Sequence, residues 1–231
     1  MTLDIKQIDV FEFDERYYQR GEDFRPSVTY KLSTAGPTEW GLMQWRGDVG
    51  NKRADEIMEE SGNLGSYVHD CLERMVKGEE IDSNEIREMF RPRQALKVLK
   101  SLQGFLEWYE ETQPEIMDAE FTTWNDKHNF AGTIDLKCKI DGEVWLIDYK
   151  TSKSIHTSHR VQLAAYGYSE KVGNLALLHL GNTTKKGWSF LPLKDPKKHW
   201  DEFVAISNVF EVKYPNAKPN QNVFPDKFSI I

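Results

Sequence analysis

The spacing of apolar residues predicts four amphipathic helices. Leucines and aromatic residues recur three and four positions apart between Arg93 and Glu111, which is the repeat of a helix with one buried face. The same repeat predicts helices over residues 66–77, 157–171 and 195–214. Gly62 and Gly65 predict a break before the helix that starts at Ser66.

A two-residue repeat predicts the strands. Residues 115–124, 130–140 and 143–150 form one predicted group, and residues 175–180 and 188–193 form a second. Helices, three strands, a helix, two strands and a helix in this order are typical of one α/β or α+β domain. We therefore expect a single domain over residues 1–231, with a helical or irregular lead-in over 1–62 and an extended tail over 215–231.

A tight turn fixes the pairing of two of these strands. Asp141-Gly142 suits a two-residue type I′ hairpin, so Ile140 should face Glu143. Counting back along both strands places Asp135 opposite Asp148, and directly opposed side chains point to the same face about 5 Å apart.

Two facing carboxylates would repel each other unless a cation lay between them. Mg²⁺ is commonly held by one or two carboxylates and water molecules, so Asp135 and Asp148 are candidate ligands. Lys150 follows Asp148 by two positions and shares its face, where an ammonium can orient a water nucleophile or stabilise a phosphate. The alternative is that Asp148 and Lys150 are ordinary surface charges. The apolar run Val144-Trp145-Leu146-Ile147 favours a buried central strand, at whose end ligands bind.

Three further polar residues are open to two interpretations. Gln162 and Tyr166 are four positions apart on a predicted helix, so they share a face that could hold Lys150 or a phosphate. They could equally be the polar stripe of an amphipathic helix. His69 could be a neutral imidazole ligand of the metal, or a structural histidine at the edge of an apolar helix face.

Composition limits the class of protein. The net charge is −7 and the pI is about 5.5, which counts mildly against a nucleic-acid binder, although acids that hold metal lower the net charge. No apolar run is long enough to cross a bilayer, and the N-terminus has no basic segment typical of a signal peptide. Two cysteines are too few for a disulfide framework, so we expect a cytoplasmic protein without membrane contact.

Several short motifs, in this order, resemble one nuclease family. Gly132-Thr133-Ile134-Asp135, Asp148-Tyr149-Lys150-Thr151 and Gln162-x-x-x-Tyr166 resemble the RecB-like branch of the PD-(D/E)XK nucleases. Gly65-Ser66-Tyr67-Val68-His69 resembles the upstream helix motif of that branch, and Phe24-Arg25-Pro26-Ser27-Val28-Thr29 resembles the lead-in of mitochondrial genome maintenance exonucleases and related phage exonucleases.

The resemblance implies a restriction-endonuclease-like core, with a central mixed sheet flanked by helices, and a DNA exonuclease that needs Mg²⁺ or Mn²⁺. It implies that Lys150 assists the nucleophile and that Gln162 and Tyr166 support the site. The implied metal ligands are His69, Asp135, Asp148 and the carbonyl of Tyr149, with Glu120 touching a second metal through water.

The chain also departs from parts of this family. It lacks the four cysteines of the iron–sulfur members, so we expect no iron–sulfur cluster, and it has no phosphate loop of a helicase motor. We expect the partner to be DNA that is single-stranded or has free ends, in recombination, repair or phage DNA metabolism, beside a recombinase or single-strand-binding protein. The alternatives are a structure-specific or restriction-type endonuclease, and a non-catalytic DNA- or protein-binding module.

Overall fold

The computed structural model describes residues 5–10, 15–181 and 184–219, with side chains from Tyr17 onward. No helix in these ranges is long and apolar enough to cross a membrane. In chain order, the elements are β1 (Ile5–Val10), β2 (Glu15–Arg20), β3 (Asp23–Pro26), α1 (Val28–Ala35), α2 (Trp40–Val49), α3 (Asn51–Val76), α4 (Ser83–Met89), α5 (Pro92–Thr112), β4 (Glu115–Asn125), β5 (Phe130–Ile140), β6 (Glu143–Lys150), α6 (Thr157–Glu170), β7 (Asn174–Leu180), β8 (Trp188–Pro192) and α7 (Pro196–Lys213).

A five-stranded mixed sheet in the order β4-β5-β6-β7-β8 forms the centre. Only β6 and β7 run parallel among these pairs, and α6 makes the crossover between them, as parallel neighbours require. One face carries an apolar core shared with α3, α4 and α5, which includes Phe105. The other face carries a core shared with α1, α6 and α7, which includes Phe203. The predicted α/β fold, with a central mixed sheet flanked by helices as in restriction-endonuclease-like cores, is confirmed.

The hairpin between β5 and β6 has the predicted register. Ile140 pairs with Glu143, and the ladder continues with the same register to Leu136 and Ile147. Asp141 and Gly142 have φ values of 51° and 83°, the two left-handed residues that a type I′ turn requires. The turn therefore sets which side chains of β5 and β6 lie opposite each other.

The first part of the chain differs from the predicted lead-in. An irregular or helical segment was expected up to residue 62, but β1, β2 and β3 form a separate three-stranded antiparallel sheet. Tyr17 and Tyr18 are adjacent in β2 and both are buried, so both faces of this strand are covered. Because both faces are covered, the strand lacks the alternation of apolar and polar residues by which the other strands were predicted. A bridge between Ser27 and Ala131 joins this segment to β5.

The predicted break at Gly62 and Gly65 is wrong, because α3 runs without interruption through both glycines. A glycine inside a helix costs about 1 kcal/mol, which packing along a 26-residue helix can offset. At Gly65, an added Cβ would lie 3.3 Å from the Thr151 hydroxyl, so glycine allows α3 to lie close to the end of β6. The helix α4 had no predicted counterpart, and most of the predicted tail lies outside the described residues.

A buried lysine joins α1 to α7. The Lys31 side chain is fully buried, and its ammonium lies 2.7 Å from Glu211 and 2.8 Å from the Ser207 hydroxyl. Burial lowers the pKa of Lys31, while the Glu211 carboxylate opposes that effect. The ammonium therefore depends on Glu211 to remain charged inside the protein.

We expect Glu211→Ala to lower the free energy of unfolding by about 1–3 kcal/mol, because it leaves a buried ammonium without its carboxylate. Lys31→Met should cost less, because the remaining Glu211 is 39% exposed and can be hydrated. Urea denaturation of both variants measures the difference. A larger loss in Lys31→Met than in Glu211→Ala would contradict this account.

Candidate active site

The alternation of side chains along β5 is interrupted at Asp135. Ile134 packs in the core on the α6 side of the sheet, whereas Leu136 packs in the core on the α3 side, although residues two positions apart normally share a face. On the neighbouring strand, Glu120 has a φ of 49°, a left-handed conformation that typically costs a non-glycine residue about 1 kcal/mol or more. The two distortions occur side by side and turn two acidic residues out of the regular sheet.

His69 meets these two acids from α3. Its Nδ1 atom lies 3.3 Å from Asp135 Oδ1 and 3.8 Å from Glu120 Oε1. One potential ligand atom from each of the three side chains lies within 4.8 Å of the other two. Asp135 is buried, and its second oxygen accepts a hydrogen bond from the Tyr149 backbone N–H at 2.6 Å. Two carboxylates and an imidazole form a donor set suited to a divalent cation such as Mn²⁺ or Mg²⁺.

The charges within this cluster are strongly coupled. Burial opposes protonation of His69, but the charge of Asp135 and hydrogen bonds with Asp135 and Glu120 raise the pKa of His69 to about 10. Burial also opposes ionisation of Asp135, yet the neighbouring His69 and Lys150 hold the pKa of Asp135 below its ordinary value. The positive charge of the protonated imidazole thus offsets the negative charge of the neighbouring carboxylates. A bound metal ion can supply this positive charge instead.

A second group of contacts begins at Asp148. Its buried carboxylate lies 2.5 Å from the Lys150 ammonium, which also donates to Gln162 at 3.3 Å. The Gln162 amide donates to the Tyr166 hydroxyl at 3.1 Å, so α6 holds the lysine through two successive side chains. Burial raises the pKa of Asp148, the charge of Lys150 lowers it and the negative charge of Asp135 raises it, and together these effects place it at about 6.

The two groups approach each other where the β5–β6 ladder ends. The structure brings together His69, Glu120 and Asp135, and it separately links Asp148, Lys150, Gln162 and Tyr166. The ladder ends one pair before Asp135 and Asp148, and Asp135 instead binds the peptide N–H that directly follows Asp148. That these two aspartates share one cation, and that the Tyr149 carbonyl joins them, stay predictions.

Tyr149 links the site to the core. Its ring is fully buried and packs edge-on against both His69 and Phe105, with ring centroids 5.7 and 5.6 Å apart. Its backbone N–H holds Asp135 at the same time. One residue therefore fixes the positions of two candidate metal ligands that come from different elements.

Gly132 gives Tyr166 room behind the site. A Cβ added at Gly132 would lie 2.5 Å from Tyr166 Cε1 and 2.7 Å from its hydroxyl, and the tyrosine ring is buried. We expect Gly132→Ala to lower the free energy of unfolding by about 1–3 kcal/mol, because neither the strand nor the ring can move freely. Chemical denaturation measures this loss.

Gly47→Ala is the matched control for that substitution. Gly47 lies in the exposed helix α2, and an added Cβ there meets nothing within 4 Å. The control should be neutral or stabilising by up to about 1 kcal/mol, because alanine favours a helix. Equal losses in the two variants would exclude the clash with Tyr166 as the cause.

Two features near Lys150 were missed by sequence reasoning. His159 precedes Gln162 by three positions and Tyr166 by seven, so helical spacing places all three on one face of α6, and this spacing was the available signal. The other feature is a hydrogen bond between Glu39 and His156, 117 positions apart, for which no local pattern gives a signal.

Comparison with known proteins identifies the family. The family model of the PD-(D/E)XK nuclease superfamily matches residues 43–205, which is more than half of the chain. No curated protein matches. Among solved structures, a candidate exonuclease from Eubacterium rectale has 12% identity and a TM-score of 0.48, covering 88% of this chain and 90% of its own. The protein SSO0001 has 15% identity and a TM-score of 0.35, covering 59% of this chain and 68% of its own. On the strength of the family match, the chain belongs to the PD-(D/E)XK nuclease superfamily.

Proposed function

We propose that this protein is a metal-dependent deoxyribonuclease that hydrolyses DNA from free ends. The observation that carries the proposal is the Asp148–Lys150 ion pair beside the cluster of His69, Glu120 and Asp135. Acidic ligands and a neighbouring amine are the groups that metal-assisted phosphodiester hydrolysis requires. A non-catalytic module would have no use for two buried carboxylates that repel each other.

The candidate ligands include two neighbouring carboxylates, and a divalent metal between them would relieve their repulsion. Asp135 and Asp148 are buried, and the negative charge of Asp135 disfavours ionisation of Asp148, so a cation beside both would remove an electrostatic cost. Mg²⁺ or Mn²⁺ held there would polarise the phosphodiester and lower the pKa of a bound water molecule. His69 and Glu120 would complete the ligand set on the α3 side.

The remaining side chains position the reacting groups. Lys150 lies at the open end of β6, where its ammonium can orient the attacking water or stabilise negative charge on the phosphate. Gln162 limits the directions in which Lys150 can point, and Tyr166 in turn holds Gln162. Tyr166 is buried, so it acts as a positioning residue that keeps this chain of contacts in place.

The preference for DNA ends is supported by motif order. The segments around His69, Asp135, Lys150 and Gln162 resemble those of the RecB-like branch, and residues 24–29 resemble the lead-in of mitochondrial genome maintenance exonucleases. We infer that the substrate is single-stranded DNA or DNA with single-stranded ends, produced in recombination, repair or phage DNA metabolism. A recombinase or a single-strand-binding protein would work on the same DNA.

End-labelled linear DNA and closed circular single-stranded DNA of equal length test the proposal. With Mg²⁺ or Mn²⁺, the linear substrate should be degraded progressively from its ends while the circle stays intact. Equal cleavage of the circle would replace the exonuclease with an endonuclease on the same fold. No cleavage of either DNA, with metal binding demonstrated, would exclude nuclease activity on these substrates.

A further inference from the structure

Three side chains at the start of α6 form a group beside Lys150 that has no role in the site described above. These are His156, His159 and Arg160, here called the α6 basic cluster. His159 lies on the helix face that carries Gln162, the residue that holds Lys150. The cluster is therefore next to the candidate catalytic lysine and on the same side of the sheet.

His159 offers a hydrogen-bond donor toward this region. Its Nδ1 atom accepts a hydrogen bond from the His156 backbone N–H at 3.3 Å, which leaves the hydrogen of the neutral ring on Nε2. Burial and the nearby charge of Lys150 lower the pKa of His159 to about 3, so the ring is neutral at ordinary pH. A neutral imidazole with a fixed tautomer can donate to a phosphate oxygen.

Arg160 supplies a positive charge at the start of α6. Its guanidinium donates to the His156 carbonyl at 3.4 Å, and no carboxylate of the described residues lies within 4.0 Å of it. Arg160 as a whole residue is partly exposed. Arginine is well suited to phosphate, because its planar group can donate two parallel hydrogen bonds.

A carboxylate from a distant part of the chain occupies one side of the cluster. One Glu39 oxygen lies 2.8 Å from His156 Nδ1, and the other accepts the Thr157 backbone N–H at 3.1 Å. Hydrogen bonds with His156 and Thr157 lower the pKa of Glu39, and the charge of Arg160 makes a smaller contribution in the same direction. An anionic group is thus already bound by His156 and the Thr157 N–H, and a phosphodiester is also anionic.

The element that carries Glu39 is weakly attached. Glu39 directly precedes α2, and none of the residues of this helix is buried. Gly36-Pro37 lies before it, and Gly50, with a φ of 83°, follows it. Since little apolar surface holds α2 in place, the carboxylate can leave the cluster at small cost.

We propose that the α6 basic cluster binds an internal phosphodiester of the DNA strand, next to the one that is cleaved, and that Glu39 occupies this position until DNA displaces it. The inference rests on the proposed function, because it takes DNA as the substrate. Arg160 and His159 then fix the register of the strand relative to Lys150. Glu39 lowers the affinity for DNA by competing with it.

Binding of a fluorescent 12-nucleotide single strand in EDTA, followed by anisotropy over a series of salt concentrations, tests the proposal. Arg160→Gln should bind about tenfold more weakly and reduce the slope of log K against log salt by about 0.7, as expected for one lost phosphate contact. Arg160→Lys should keep the wild-type slope. Glu39→Gln should bind about fivefold more tightly, because a competing charge is removed.

Two control variants make the same kinds of substitution, arginine to glutamine and glutamate to glutamine, at positions away from the cluster. Arg93→Gln changes an exposed arginine of α5, on the other side of the sheet, and Glu143→Gln changes an exposed acid at the far end of β6. Both should bind DNA like the wild type. Melting temperatures of all variants show whether each is folded.

An unchanged salt slope in Arg160→Gln, or weaker binding by Glu39→Gln, would overturn the proposal. The same oligonucleotide with a 5′-phosphate provides a second comparison. An effect of Arg160→Gln that is confined to the phosphorylated strand would assign the cluster to a terminal phosphate and contradict an internal one. Cleavage by the wild type with Mg²⁺ is measured in parallel, so failure of the cluster is distinguished from failure of the nuclease function.

Discussion

Asp148→Asn and Lys150→Ala should each slow DNA cleavage by about 10³-fold in the presence of Mg²⁺. Asp148 is a buried acid that we assign to the metal, and Lys150 is the amine beside it. Loss of a single group that stabilises charge in the transition state typically costs 10²- to 10³-fold in rate, and loss of a positioned proton-transfer group costs a similar factor. The measurement is the initial rate of release of labelled nucleotides from linear DNA.

The controls for this experiment change the same residue types in the same hairpin. Asp141→Asn alters an exposed acid in the turn, and Lys139→Ala alters a lysine near the end of β5 that pairs with Glu115. Both should retain the wild-type rate within a factor of about two. Full activity in Asp148→Asn or Lys150→Ala would contradict the assignment of the active site to this part of the sheet.

Divalent metal should raise the melting temperature of the wild type by roughly 5–10 °C when its concentration is about 100 times the dissociation constant. This follows from about 2.7 kcal/mol of linked stabilisation, with about 2–4 °C of melting temperature for each kcal/mol in a domain of this size. Asp135→Asn and His69→Gln should remove most of the increase, because they remove ligands from the cluster. Scanning calorimetry with and without Mn²⁺ measures it.

Two further variants separate metal binding from catalysis. His199→Gln, in α7, should keep the full metal-dependent increase, because His199 lies outside the cluster and near Glu202. Lys150→Ala should also keep it while losing activity, because an ammonium is not a metal ligand. An undiminished increase in both Asp135→Asn and His69→Gln would show that the metal binds elsewhere.

Much of the central sheet could be predicted from local patterns. Asp141-Gly142 fixed the register of β5 and β6, because the left-handed residues of the turn leave one pairing for the strands on either side. The bounds of β5 and β6 were predicted to the residue, and α5 differs from its prediction by one residue at each end. These segments have a strong repeat and clear end signals, so little depends on contacts with the rest of the chain.

The geometry of the site itself could not be predicted by counting residues along the strands from the turn. Counting assumes that side chains alternate strictly, and the alternation fails at Asp135, beside the left-handed Glu120. His69 reaches Asp135 from a helix 66 positions earlier, a contact that depends on how α3 crosses the sheet. The local pattern left His69 open to two interpretations, and only the family resemblance favoured its role as a ligand. The sheet of β1, β2 and β3 was missed for a similar reason, since its tyrosines are covered by distant parts of the chain.

The dual role of Tyr149 has a consequence for the tolerance of the enzyme to sequence change. Its peptide N–H orients Asp135, and its ring fills the layer between the sheet and α5. Substitutions such as Phe105→Leu, in the core behind the site, would therefore shift a candidate ligand by moving the backbone to which it is hydrogen-bonded. Turnover would decline in such variants while the chain is still folded, so selection for activity constrains the interior of this domain more tightly than selection for stability does.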